Sequence, residues 1–273
     1  MDTWQLRERF ETPGGAVCWD RFGQGPPVVL LHGTPFSSLV WREVAGALAD
    51  RHEVFVWDLL GYGGSAKHDG QDVSLGAQAE IFAALLRFWE LDAPAVVAHD
   101  FGGAVSLRAH LLHGACYGRL ALADAVALAP WGSPFFRLVR EHTGVFGELP
   151  PRLHAALVRE YIGTASVRGL RPGVLDALVR PWLGEAGQCA FYRQIAQADQ
   201  RYTDEIELRY GELDLPVRVH WGAADTWLPI DRGRELAARI PGATLRVIPD
   251  AGHPVQEDAP ATLTASLLEF LST

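Results

Sequence analysis

Cysteine is scarce in this chain of 273 residues: Cys18, Cys116 and Cys189 are all there is, an odd number at spacings that suit no metal. That excludes a disulfide framework and a cysteine-rich zinc site, and three reduced thiols suit a cytoplasmic protein. Long apolar runs are missing as well. No stretch approaches the roughly 18 consecutive apolar residues of a membrane span. Residues 1–12 alternate charged and apolar types without the apolar core of a signal peptide. Basic clusters are also absent. The net charge is -9, arginine is the usual base and no Lys/Arg run occurs. Nucleic acid and anionic membrane surfaces are thereby set aside as partners, and a small neutral molecule is the expected substrate. The chain has no internal repeat and no low-complexity tract.

A hydrophobic share of 48% against 21% charged residues is enough to build the core of one large domain. Residues 6–12 and 16–22 read as two short strands around Pro13-Gly14-Gly15, a hairpin. Segments 28–32, 54–58, 95–99 and 120–128 are short, continuous apolar runs, the pattern of strands buried on both faces. Helical spacing fills 40–52, 74–91 and 102–113 between them. Strand and helix in alternation predict a parallel sheet with right-handed crossovers. From 133 to 215 no strand-like run appears, only helical pieces broken by Pro150-Pro151, Gly163, Pro172, Pro181 and Gly187. Strands are expected again at 217–221 and 244–248, with helices at 232–240 and 261–271. The expected organisation is a core of residues 1–131 and 216–273 carrying a helical cap of residues 132–215.

The chemistry centres on Val96-Val97-Ala98-His99-Asp100-Phe101-Gly102-Gly103. An apolar run followed by small-x-nucleophile-x-Gly is the outline of a nucleophile elbow, with aspartate in place of serine. A serine there attacks acyl carbon; a carboxylate attacks saturated carbon and leaves an alkyl ester that water must cleave. Asp100 alone has a second reading, as the N-cap of the helix that follows. Three other segments favour the nucleophile. His32-Gly33-Thr34-Pro35 follows the third strand, where backbone N–H groups of Thr34 and Phe101 can converge on one oxygen. Trp221-Gly222-Ala223-Ala224-Asp225 offers a loop carboxylate, and Gly252-His253 an imidazole, in the order nucleophile, acid, base.

These segments, with Asp58-Leu59-Leu60-Gly61-Tyr62-Gly63-Gly64-Ser65, resemble the motifs of the α/β-hydrolase fold over residues 5–271. The resemblance implies an α/β architecture: a mostly parallel twisted sheet flanked by helices, with an inserted helical lid. The His99-Asp100 pair is similar to the subgroup of epoxide hydrolases and haloalkane or haloacetate dehalogenases. For that subgroup the resemblance implies Asp100 as nucleophile, His253 as the base that activates water, Asp225 as its orienting acid, and the amides of Thr34 and Phe101 as the oxyanion hole. It implies no cofactor and no metal.

Three leaving groups are open within that resemblance. Haloalkane dehalogenases usually place Trp directly after the nucleophile and Asn or a lid Trp as second halide donor; this chain has Phe101 and Thr34 there, with Trp131 and Trp182 as remaining candidates. Haloacetate dehalogenases usually carry Arg at the positions of Phe101 and Ala104, and Arg108 reads as scaffold. Epoxide hydrolases use lid hydroxyls, and Tyr161, Tyr192, Tyr202 and Tyr210 all fall in the insertion, Tyr161 and Tyr192 being the foremost candidates. Ring opening of a small apolar epoxide is therefore the favoured reading, with dehalogenation or a non-catalytic ligand-binding member of the fold as alternatives. Phe36, Phe101 and Trp131 are expected to line the pocket, with Trp182 and Trp227 as further candidates. Asp124 is expected inside the sixth strand, which makes Asp225 the preferred acid. His99 is expected to face away and support the network near the oxyanion loop. His110 and His113 lack a third metal ligand, and Gly61-Tyr62-Gly63-Gly64 reads as a turn.

Overall fold

A computed structural model describes residues 4–272. Its centre is an eight-stranded sheet in the order β1-β2-β4-β3-β5-β6-β7-β8. The strands are β1 (Glu8–Phe10), β2 (Val17–Phe22), β3 (Pro27–Leu31), β4 (Glu53–Trp57), β5 (Ala95–His99), β6 (Arg119–Ala123), β7 (Val217–Gly222) and β8 (Thr244–Ile248). The N-terminal hairpin joins antiparallel through β2 and β4, and every pairing from β4 to β8 is parallel. In β3, β4, β5 and β6 all residues after the first are buried, as expected of strands covered on both faces. The edge strand β8 is largely exposed, and Arg246 on it, 3.4 Å from Glu269, is the kind of charge that blunts an edge.

The helices are α1 (Arg42–Leu48), α2 (Leu75–Phe88), α3 (Phe101–His113), α4 (Pro134–Glu141), α5 (Thr143–Gly147), α6 (Pro151–Gly163), α7 (Pro172–Val179), α8 (Gly184–Ala196), α9 (Arg201–Glu207), α10 (Ile230–Arg239), α11 (Val255–Asp258) and α12 (Pro260–Leu271). α2 packs on α3, and α1 on α12. Between β6 and β7 the chain is helical apart from short connections. The prolines that look like breaks in that stretch are starts. Pro134, Pro151 and Pro172 each stand in the first turn of a helix, where a backbone N–H has no intrahelical acceptor anyway. No helix among the described residues is long and apolar enough to cross a membrane.

Two expected elements differ. The helix anticipated over 40–52 is a 3₁₀ turn, Ser38–Trp41, followed by the short α1. The strand anticipated over 120–128 stops at Ala123, because Asp124 turns to φ 43° and breaks the extended path. The chain then folds back on the elbow, and Val126 N–H donates to the Asp100 carbonyl at 3.0 Å.

Two core histidines carry a pH signature. Burial pushes His99 and His220 down to about 3 from an ordinary value of 6.5. The unfolded chain therefore takes up protons between those values that the folded chain refuses, so stability is complete above 6.5 and falls as pH drops through the window. Each ring accounts for about 2 kcal/mol between pH 7 and pH 5. Thermal melts of wild type and His220→Gln should show a smaller acid-induced fall in Tm for the variant; equal falls would refute the assignment.

Candidate functional site

The elbow is built as the sequence suggests. β5 ends at His99 and α3 begins at Phe101, leaving Asp100 between them at φ 51°, ψ -119°. A non-glycine residue held in so sparsely populated a region costs about 1–3 kcal/mol, which the surrounding packing must offset. Gly102 makes the sharp turn possible: a Cβ there would lie 2.7 Å from the His32 carbonyl oxygen. Asp100 occupies the cap position, yet its side chain makes no capping hydrogen bond to α3. Its Oδ1 instead accepts the Thr34 N–H at 2.6 Å. The Phe101 amide opens α3 at a position with no intrahelical acceptor. At Gly33 a Cβ would lie 2.2 Å from Asp100 Oδ1 and 2.6 Å from the Phe101 nitrogen, so that corner admits only glycine.

His253 reaches the same place from the loop after β8. Its Nε2 lies 3.4 Å from Asp100 Oδ2, and its Nδ1–H donates to Asp225 Oδ2 at 2.9 Å. Asp225 Oδ1 is fixed in turn by the N–H groups of Trp227 at 2.8 Å and Leu228 at 2.9 Å. Burial opposes a charge on the imidazole, but the carboxylates of Asp225 and Asp100 outweigh it and raise the His253 pKa well above its ordinary value. Residues 100, 225 and 253, singled out in the sequence, thus meet in space. Nε2 has no hydrogen-bond partner among the described residues.

Beside these groups is a narrow cleft with about 30 Å³ of space open to water-sized molecules. Thr34, Phe101, Trp131, Phe136, Tyr161 and Trp227 are among its walls, and no Arg or Lys is. Tyr161 stacks on Trp227 with centroids 4.6 Å apart. Burial and the nearby Asp100 push its phenol pKa well up, against a hydrogen bond with Ser133 that lowers it. Three expected pocket residues lie elsewhere. Phe36 is not on the cleft surface; it backs the site, stacking on Trp227 and His253 at 6.2 Å each. Tyr192 does not line the cleft, because its hydroxyl is drawn to His154 Nδ1 at 2.9 Å, and burial pushes its pKa up to about 12. Trp182 is buried with its N–H on the Pro35 carbonyl at 2.7 Å. Tyr202 and Arg108 stack on one another at 5.0 Å, and Arg108 pairs with Glu205, the scaffold role expected of it. His110 donates to the Ala115 carbonyl, and no group of metal-ligating side chains occurs among the described residues.

Sequence reasoning misplaced one participant and missed two. Asp124 lies beyond its strand and not within it, fully buried, with Oδ1 accepting the Gly222 N–H at 2.8 Å. Burial first, and the neighbouring Asp225 second, hold its carboxyl pKa well above the usual range. Tyr62 and Gln194 form the other omission: the hydroxyls of Thr34 and Tyr62 both donate to Gln194 Oε1, at 2.8 and 2.9 Å, tying α8 to the loop that holds Asp100. A tyrosine inside a glycine turn was a visible signal; nothing in the sequence marks Gln194. His99 supports the network as expected, but on the side of the base, donating from Nε2 to the His253 carbonyl at 3.0 Å.

Comparison with known proteins gives the family. The model of the alpha/beta hydrolase family matches residues 28–266. The chain belongs to that family. The hydrolase is similar to an alpha/beta hydrolase fold protein from Burkholderia ambifaria, with 51% identity, a TM-score of 0.94 and coverage of 97% of this chain and 98% of that one. An uncharacterized protein of Mycobacterium tuberculosis is 30% identical over 274 residues, covering 92% of this chain and 76% of the relative. Haloalkane dehalogenase 2 of Mycobacterium tuberculosis is 25% identical over 277 residues, covering 95% of the hydrolase and 93% of the relative.

Proposed function

We propose that this hydrolase works through an alkyl-enzyme ester on Asp100 and that its substrate is a small, apolar, uncharged epoxide. One arrangement carries the reading. Asp100 Oδ1 is held by an amide, while Oδ2 accepts no hydrogen bond among the described residues and faces, at 3.4 Å, the imidazole that must later activate water. Oδ2 attacks the less hindered ring carbon, the carbon–oxygen bond breaks, and the electron pair goes to the ring oxygen, which takes the proton of the Tyr161 hydroxyl. His253 then removes a proton from water, whose oxygen attacks the carboxyl carbon of Asp100, and the amides of Thr34 and Phe101 stabilise the oxyanion. The tetrahedral centre collapses, the diol departs with the proton carried by His253, and the second proton of the attacking water leaves the Asp100 carboxyl group for solvent, regenerating the carboxylate. Tyr161 recovers its proton from solvent.

Support for the epoxide over the halide comes from the donors around the cleft. The Trp131 N–H is occupied by Thr203 Oγ1 at 2.8 Å and the Trp227 N–H is directed to Thr164 Oγ1 at 3.4 Å, so neither indole is free to cradle a halide. Absence of Arg and Lys from the walls disfavours a carboxylate-bearing substrate such as a haloacetate. A hydroxyl in the cleft, Tyr161, suits an alkoxide leaving group. The similarity to haloalkane dehalogenase 2 keeps halide release as the second reading.

A paired assay of diol formation and halide release separates the two. Diol formation alone is expected, with Tyr161→Phe lowering kcat about 100-fold, the lower end of the usual range for a proton donor. Halide release unaffected by that substitution would overturn the epoxide assignment.

A further inference from the structure

The turn between α6 and α7, residues 164–171, lies across both loops that carry the acid and the base. Ala165 offers its carbonyl to the His253 N–H at 3.1 Å. Arg168 Nε donates to the Asp250 carbonyl at 3.1 Å, and Thr164 Oγ1 receives the Trp227 indole N–H at 3.4 Å, two residues from Asp225. Gly252 leaves no room for slack: a Cβ there would lie 2.6 Å from the Ala165 carbonyl oxygen.

Asp258 joins the two sides of this contact. Its Oδ2 accepts the Gly252 N–H at 2.7 Å, from the residue before the imidazole, and the Val167 N–H at 3.2 Å, from the turn. Its Oδ1 accepts the Ser166 hydroxyl. The carboxylate is buried, and among the described residues no cation pairs with it. All three of its partners are neutral donors, two of them backbone amides, so the group serves to fix main chain. His99 secures the other end of the same residue through the His253 carbonyl.

We propose that Asp258 is a positioning residue for His253: it seats the α6–α7 turn and the imidazole loop as one piece, so that the base is aimed at the Asp100 ester only while the turn is in place. This rests on Asp100 and His253 acting as proposed above. The consequence is selective. Attack by Asp100 on substrate does not use the base, whereas cleavage of the ester does, and a displacement of about 1 Å in a reacting group can cost about 100-fold. Lifting the turn would break its contacts with His253, Asp250, Trp227 and Asp258, leaving, of the contacts named here, those of Asp258 with Gly252 and of His99 with His253.

The test uses Asp258→Ala, with Ser166→Ala as a milder change at the same junction, in rapid-mixing single turnovers followed by intact mass. Ester formation should stay within about twofold of wild type, while ester cleavage falls about 10- to 100-fold in Asp258→Ala and about two- to fivefold in Ser166→Ala, so the adduct accumulates. In parallel, imidazole NMR should show the His253 Nδ1–H resonance sharp in wild type and broadened in Asp258→Ala. Equal slowing of both steps with an unchanged ring resonance, or no change in either, overturns the proposal. The control is His253→Gln: if it too forms no adduct, the nucleophile reading fails, and the ring resonance alone then decides whether Asp258 positions the imidazole.

Discussion

His253→Gln is expected to convert the hydrolase into a trap: an intact mass equal to protein plus substrate, formed within one turnover and persisting for many. The reason is the division of labour at Asp100. Thr34 N–H still holds Oδ1, so attack by Oδ2 proceeds, but no group remains to take the proton from water. General-base removal slows such a step about 10²- to 10⁴-fold, which makes cleavage of the ester the slow event. The raised pKa of His253 sharpens the expectation. In the resting site Asp100, with Asp225, raises the imidazole's pKa; esterification removes the Asp100 charge, and the ring then releases its proton more readily. Turnover should therefore rise with pH through a value lower than the one His253 shows in the substrate-free protein. A variant mass equal to that of unreacted protein after incubation with a true substrate would refute the mechanism.

Asp100→Ala should abolish turnover, by about four orders of magnitude, since it removes the atom that forms the bond. The chain should fold: the elbow's strain belongs to the aspartate's backbone, and alanine keeps the Cβ at that position. The complementary observation is isotopic. In ¹⁸O water the peptide containing Asp100 should gain label over several turnovers, because the water oxygen enters the carboxyl group and Asp100 then presents it to the next substrate. Label in the product and none in that peptide would mean direct attack by water, with Asp100 reduced to an electrostatic role.

Much of the site was legible because this fold places its reactive residues at the ends of apolar runs. Strands β3 to β6 are buried on both faces, so they read as short, largely apolar runs, and the residues just beyond them stand out. Asp100, Asp225, His253 and Thr34 were all found in this way. Asp124 was misplaced for the converse reason. The residues after it, Ala125-Val126-Ala127-Leu128, are as apolar as the strand before it, and only a backbone angle of φ 43° distinguishes the end of the strand from its interior.

Aromatic residues resisted prediction more than charged ones. Phe36, Trp182 and Tyr192 have the composition of a pocket, yet whether each faces the cleft depends on where its own polar atom or packing partner lies, and those partners are far away in the chain. Trp182 is committed to Pro35 across 147 residues, and Thr34 meets Gln194 across 160. No local pattern encodes such distances.

By itself the sequence determined the period and order of the elements, the aspartate at the turn after β5, and the order of Asp100, Asp225 and His253 along the chain, because periodicity and turn chemistry are local. Only the tertiary structure decided that Asp100 is not spent on capping α3, that Asp124 stands beside Asp225, that Tyr161 and not Tyr192 faces the cleft, and that Asp258 binds the turn after α6 to the loop of His253. Each of these depends on hydrogen-bond partners brought together by the packing of helices on the sheet, and a hydrogen bond exists only where distance and direction are both met.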